Sequence, residues 1–125
     1  FVPHSRHTGL NLKDLAAVPA LRVLASGRRT GPFLLSTENG RQIFVTGHPE
    51  YDLFTLDAEY RRDLEKGLEI SVPENYYPSD DPAQRPINRW RSHAHLLYHN
   101  WLNYYVYQTT PYDLEELSPL AGEPR

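Results

Sequence analysis

The chain has 125 residues, 39% of them hydrophobic and 23% charged, with a formal net charge of −3; this is the size and balance of one globular domain near the lower limit for a self-sufficient core. A pI near 6.1 gives no basic field to draw nucleic acid, and no apolar run approaches the roughly 20 residues of a membrane helix. The absence of cysteine excludes a disulfide framework or a cysteine-ligated metal within these residues, so a cytoplasmic enzyme, or a piece of one, is the expected class. Residues 1–20 read as irregular chain carrying His4-Ser5-Arg6-His7 and a short apolar segment around Leu10–Val18. Leu21–Ala25 alternates and predicts a strand closed by Ser26-Gly27. Gly31–Ser36 predicts a second strand, Asn39-Gly40 supplies the left-handed residues of a tight hairpin, and Arg41–Thr46 predicts a third, ending at Gly47. Thr55 is placed to cap a helix with Asp57 in its first turn, where a negative charge meets the positive end of the dipole. Leu56, Tyr60 and Leu64 recur at helical spacing, and Gly67 is a C-terminal stop. Ile70–Asn88 reads as a long loop anchored by Tyr76 and Tyr77, a length that in a compact domain points to function or to packing over something. Trp90–Gln108 is the longest predicted helix. Its stripe of Trp90, Ala94, Leu97, Trp101 and Tyr104 is supplemented by Leu96, Leu102, Tyr105 and Val106 on other faces, so it calls for burial in a core or against another subunit, and a homodimer is one expectation. The acidic tail after Pro111 is expected to fray.

The stretch with chemical content is Phe44-Val-Thr-Gly-His48-Pro-Glu50-Tyr-Asp52. A strand leaving at Thr46-Gly47 delivers the next residues to a sheet edge, where α/β proteins place their ligand crevice. His48 and Glu50 are two apart in extended chain and so point to one side, while Pro49 restricts the backbone between them. A carboxylate there can hold one ring nitrogen and leave the other free as a base. On three letters alone, a surface histidine beside an unrelated glutamate remains an open reading. His95 and His99 have the i, i+4 spacing of metal ligands, but no third ligand is evident nearby. Asp80-Asp81 between prolines reads as turn chemistry.

Strand-Gly-His-Pro-Glu is similar to the end of the class I glutamine amidotransferase-like fold, in which a distant cysteine completes a triad. Further stretches extend the likeness. Pro3-His-Ser-Arg6, Asn75-Tyr-Tyr-Pro78, Asp80-Asp-Pro82, Trp90-Arg-Ser-His93, Asn100-Trp-Leu-Asn-Tyr-Tyr-Val-Tyr107 and Thr110-Pro-Tyr-Asp-Leu114 together resemble the C-terminal part of the homoserine O-acyltransferase family of methionine biosynthesis. The resemblance implies an α/β fold, with residues 1–125 as the C-terminal portion of one three-layer amidotransferase-like domain in which short strands are followed by two helices. It implies transfer of an acyl group from succinyl-CoA or acetyl-CoA to the hydroxyl of L-homoserine through a cysteine acyl-enzyme. That chemistry needs no metal or cofactor besides acyl-CoA as co-substrate.

Carried over residue by residue, the resemblance makes His48 the proton acceptor and Glu50 its partner, and matches Ser5 and Arg62 to substrate-binding residues. The residues alone read Arg62 differently: it lies about 200° around the helix from Tyr60, off the apolar stripe, as a solvated residue would. A guanidinium there would suit the amino-acid carboxylate. The family's nucleophilic cysteine, oxyanion-hole amides and a further substrate-binding lysine match nothing in these residues and are expected in an N-terminal portion. Two rival readings stand beside this one: a glutamine amidotransferase domain sharing the His-x-Glu, and a non-catalytic interaction module presenting its aromatic helix.

Overall fold

The structure, a computed structural model, describes residues 1–111. The described residues form an α/β arrangement in the order α1 (Leu12–Ala16), β1 (Leu21–Gly27), β2 (Gly31–Thr37), β3 (Ile43–Val45), α2 (Thr55–Glu65) and α3 (Arg91–Asn100), with a π-helical stretch at Trp101–Tyr107. The acidic tail lies outside them. The three strands make one antiparallel meander with β2 in the middle. Its register pairs Leu21 with Thr37 and Gly27 with Gly31 on one side, and Leu34 with Val45 on the other. A shift between Val23 and Ala25 leaves Leu24 without a partner, a bulge that adds twist to this edge. Gly40 turns the β2–β3 hairpin at φ +69° as predicted, whereas Asn39 is not left-handed and serves the turn through its side chain, which accepts from the Thr37 hydroxyl at 2.8 Å and the Arg41 amide at 3.1 Å.

The expectation for residues 1–20 is corrected by α1. The Asn11 side chain accepts the Lys13 amide at 2.9 Å and starts one turn of helix, an N-cap signal that outweighs the weak periodicity of this stretch. The start of α2 also differs from expectation. Thr55 is the first helical residue and its hydroxyl caps nothing; the free Asp57 amide instead donates to the Tyr76 hydroxyl at 3.2 Å. The cap therefore comes from the loop. Along α2, Leu56 and Tyr60 are buried but Leu64 is not, and Gly67 ends the helix at φ +71°.

The core lies between α2, the long loop and the start of α3. Leu56, Tyr76, Tyr77, Trp90 and Ala94 form it, with Tyr51 and Val72 packed against them. The Tyr76 and Tyr77 rings meet edge to face with centroids 4.7 Å apart, a favourable aromatic geometry. Those two buried residues anchor the loop as predicted, and the only regular structure within it is a tight turn at Pro78–Asp80. The carboxylates of the turn serve the backbone: Asp80 accepts the Asn75 amide at 2.5 Å and Asp81 accepts the Ala83 amide at 3.0 Å. The predicted helix from Trp90 to Gln108 is present as α3 and its π-helical continuation. Its expected burial is not supplied by the described residues: only Ala94 within α3 is buried, while Leu96, Trp101, Leu102, Tyr104 and Tyr105 are exposed.

Candidate active site

The site is built at the end of β3. Thr46 continues the strand, its amide bonded to the Phe33 carbonyl at 2.9 Å and its hydroxyl to the Pro32 carbonyl at 2.6 Å. The segment Pro3–Arg6 lies alongside. The His48 amide donates to the Pro3 carbonyl at 2.8 Å, and the Arg6 guanidinium donates to the carbonyls of Thr46 (3.3 Å) and Thr30. Gly47 is buried beneath this brace. A Cβ there would stand 2.9 Å from His4 Cε1 and 3.0 Å from the Pro3 carbonyl oxygen, so the close approach needs glycine.

His48 and Glu50 meet, Nδ1 to Oε1 at 2.8 Å, but not along the extended chain expected: Pro49 and Glu50 lie in a turn closed by the Tyr51 amide on the His48 carbonyl at 3.2 Å. An ionised carboxylate can only accept, so Nδ1 carries the hydrogen and Nε2 of the neutral ring holds the free lone pair. Nε2 makes no hydrogen bond among the described residues, and the His48 side chain is 36% exposed. Its ring is stacked on Tyr51, centroids 4.3 Å apart and planes 13° from parallel. The other Glu50 oxygen faces the Tyr98 hydroxyl at 3.5 Å, and burial together with that carboxylate pushes the Tyr98 phenol above its usual range. A small cleft of about 230 Å³ opens here, lined by Glu50, Tyr51, Trp90, Ala94 and Tyr98 among others.

The Tyr51 hydroxyl donates to Glu59 Oε1 at 3.0 Å. Burial first, and then this carboxylate, push the Tyr51 phenol up to about 12. Glu59 Oε2 is buried without a partner among the described residues. Arg62 stands one helical turn on from Glu59, so both lie on one face of α2. The Arg62 side chain is 52% exposed and its Nε donates to Asp63 at 2.8 Å, which holds the Asp63 carboxyl below the usual carboxylate range. Ser5 is half-buried within the brace and its hydroxyl has no bonding partner among the described residues. His48 is thus joined to α2 through its stack on Tyr51 and the Tyr51–Glu59 bond; Arg62 shares the Glu59 face of the helix but bonds Asp63, and Ser5 belongs to the segment bonded to the His48 amide.

Residues 1–112 match the family model described as homoserine O-succinyltransferase. The chain belongs to the homoserine O-succinyltransferase family. It is 59% identical over 117 residues to a protein named homoserine O-acetyltransferase from Desulfitobacterium hafniense, a match covering 94% of this chain and 38% of that protein. Proteins of the same name from Brevibacillus brevis and Petrotoga mobilis are 58% and 53% identical, with 90% and 94% of this chain covered. The chain spans under two fifths of the length of these curated relatives.

Around this homoserine O-succinyltransferase-family motif, sequence reasoning missed four side chains. Tyr51 adjoins Glu50, yet its stack on His48 arises from the chain turning at Tyr51, where the amide bonds back to the His48 carbonyl at 3.2 Å. Glu59 and Tyr98 reach the site from two helices. Glu59 had one usable signal, its i, i+3 spacing from Arg62. His4 lies in the Pro3–Arg6 stretch that carries the resemblance, but nothing in the sequence places it on Gly47 and edge-on to Phe33 at 5.9 Å. Burial, then Arg6 and His48, hold the His4 ring below the usual histidine range. Of the remaining histidines, His93 is exposed and bonds the Phe1 carbonyl at 2.7 Å, while His95 and His99 are exposed on α3.

Proposed function

We propose that these residues form the C-terminal part of a homoserine O-acyltransferase domain with class I glutamine amidotransferase-like, three-layer architecture. The observation that carries the reading is the His48–Glu50 pair at the β3 terminus, 2.8 Å apart with Nε2 unengaged. In this reading a cysteine elsewhere in the protein takes the acyl group from coenzyme A as a thioester. The γ-hydroxyl oxygen of L-homoserine then attacks the thioester carbon while His48 Nε2 accepts the hydroxyl proton. The C–S bond breaks, the proton passes to the departing sulfur, and Glu50 holds the intervening imidazolium. Arg62 binds the homoserine carboxylate and Ser5 contacts substrate. An acetyl donor is favoured by the names of the relatives at 53–59% identity, and a succinyl donor by the description of the family; we assign acetyl-CoA. A cytoplasmic location goes with such a biosynthetic role.

The match over residues 1–112 supports this reading against a glutamine amidotransferase domain or a non-catalytic module. The test is an assay of the intact protein with homoserine and each thioester in turn, alongside His48→Asn. Acetyl transfer that falls by about 10²–10⁴-fold in the variant is expected from loss of a general base. Activity within tenfold of the parent would remove His48 from the role, and a preference for succinyl-CoA would reverse the donor.

A further inference from the structure

The His48–Glu50 hydrogen bond fixes one point of the imidazole. It leaves the ring able to pivot about the line from Nδ1 to the carboxylate, and a pivot swings Nε2 away from a substrate hydroxyl. What removes that freedom is a face contact, and one is present. The Tyr51 ring lies 4.3 Å from the His48 ring at 13°. Tyr51 is itself held independently of His48's side chain. Its hydroxyl donates to Glu59 on α2 at 3.0 Å, its carbonyl accepts the Trp90 indole N–H at 3.0 Å, and its amide donates to the His48 carbonyl at 3.2 Å. Glu59 sits on a regular helix and Trp90 is 3% exposed within the core, so the platform is tied to a helix and to the buried core. Stacked planar rings resist tilting through dispersion and quadrupole terms that fall off quickly with angle and distance.

We propose that Tyr51 is a positioning residue: a platform tethered through Glu59 and Trp90 that sets the plane of the His48 ring and so aims Nε2 at the proton it accepts. This rests on the reading of His48 as the base. Tyr51 exchanges no proton in the reaction; it narrows the range of ring orientations, where a misplacement of about 1 Å costs on the order of 10²-fold in rate.

The experiment uses the intact protein and the variants Tyr51→Phe and Tyr51→Leu, with His48→Asn as reference. In Tyr51→Leu the expected kcat falls about 10²-fold with KM for both substrates within twofold of the parent. Tyr51→Phe keeps the ring and loses only the Glu59 tether, so it recovers most of the ~10²-fold loss and sits about three- to tenfold below the parent. Proton NMR of the His48 ring gives a readout independent of turnover: its ring-proton resonances are shifted by the stacked phenol in the parent and in Tyr51→Phe, and lose that shift in Tyr51→Leu.

A parent-like kcat in folded Tyr51→Leu overturns the proposal, as does a Tyr51→Phe variant as slow as Tyr51→Leu, which would make the hydroxyl the working group. If Tyr51→Leu fails to fold by circular dichroism, Tyr51→Phe decides: reduced kcat at unchanged KM supports the tether, and parent kcat overturns it. Failure of the base reading looks different, since His48→Asn would then retain activity. An inactive His48→Asn beside an unaffected Tyr51→Leu sinks the platform alone.

Discussion

At Gly47 one methyl group decides whether His48 can be held where it is. A Cβ would meet the His4 ring and the Pro3 carbonyl at or below 3.0 Å, and Pro3 is the residue that accepts the His48 amide. Gly47→Ala is therefore expected to cost about 1–3 kcal/mol through overpacking and to lower kcat as well, because the relaxation moves His48. Denaturant unfolding and steady-state kinetics on the intact protein check both; an unchanged kcat with lost stability would detach the brace from catalysis. Arg62 is the opposite kind of position. It is half exposed and its partner Asp63 is adjacent, so Arg62→Ala should fold normally; on the proposed function it should also raise KM for homoserine at least tenfold and spare formation of the acyl-enzyme. Equal loss in both half-reactions would make Arg62 structural. His48 and Glu50 were legible from sequence as a pair two residues apart around a proline, but the contact is made within a turn closed by the Tyr51 amide on the His48 carbonyl, not along the extended chain the spacing argument assumed. Arg62 needed the family, since on helical geometry alone it reads as a solvated residue. Tyr51 was hidden in plain view, because a face-to-face contact between near neighbours needs a chain reversal that composition does not announce.

The elements show the same division between local and tertiary causes. The meander and its turn at Gly40 follow from alternation and backbone preference, and the observed strands match the predicted ones within two residues at every end, β3 being the one that is shorter at both. The start of α2 was misread because its cap is supplied across the fold: the Tyr76 hydroxyl receives the Asp57 amide, and the Tyr77 hydroxyl donates to Asp57 Oδ1 at 2.6 Å. This pins the long loop to the helix. Asp57 is also bound by Arg61 Nε at 2.9 Å, and Arg61 first, then Tyr77, hold its carboxyl below the usual range against the opposing effect of burial. Tyr77→Phe is expected to cost about 1.5–3 kcal/mol, the value of a hydrogen bond to a charged group. The sign of its pH dependence follows from the depressed carboxyl. That stabilisation is present above the unfolded carboxylate pKa, near 4, and is lost as pH falls through the folded value. The gap between parent and variant in urea unfolding should therefore be full at pH 7 and narrow in acid. A gap that widens in acid would show that Tyr77 acts through packing alone.

For the whole molecule the telling fact is where apolar surface is left. The core of Leu56, Tyr76, Tyr77, Trp90 and Ala94 sits on one side of α3, while Val23, Leu24, Phe44 and Val45 of the sheet and Leu96, Trp101, Leu102 and Tyr104 beyond it remain exposed. Sequence periodicity recognised the burial demand of the long helix but could not say what meets it, since the partner surface is not encoded in the helix itself. Elements that leave this many large apolar side chains exposed call for a partner to cover them, and the relatives carry more than half of their length outside the matched region. On the proposed reading, the remainder of the same domain covers these residues. Leu96, 58% exposed among the described residues, separates the alternatives. In the purified 125-residue chain Leu96→Ala should change stability by less than about 0.5 kcal/mol, as at any exposed site. In the intact protein the same substitution should cost about 2–5 kcal/mol, the loss expected when a buried leucine is truncated. Thermal or denaturant unfolding of the two preparations side by side reads the difference. A small effect in both would leave Leu96 exposed in the complete domain and would refute the view that the rest of the domain closes over this face.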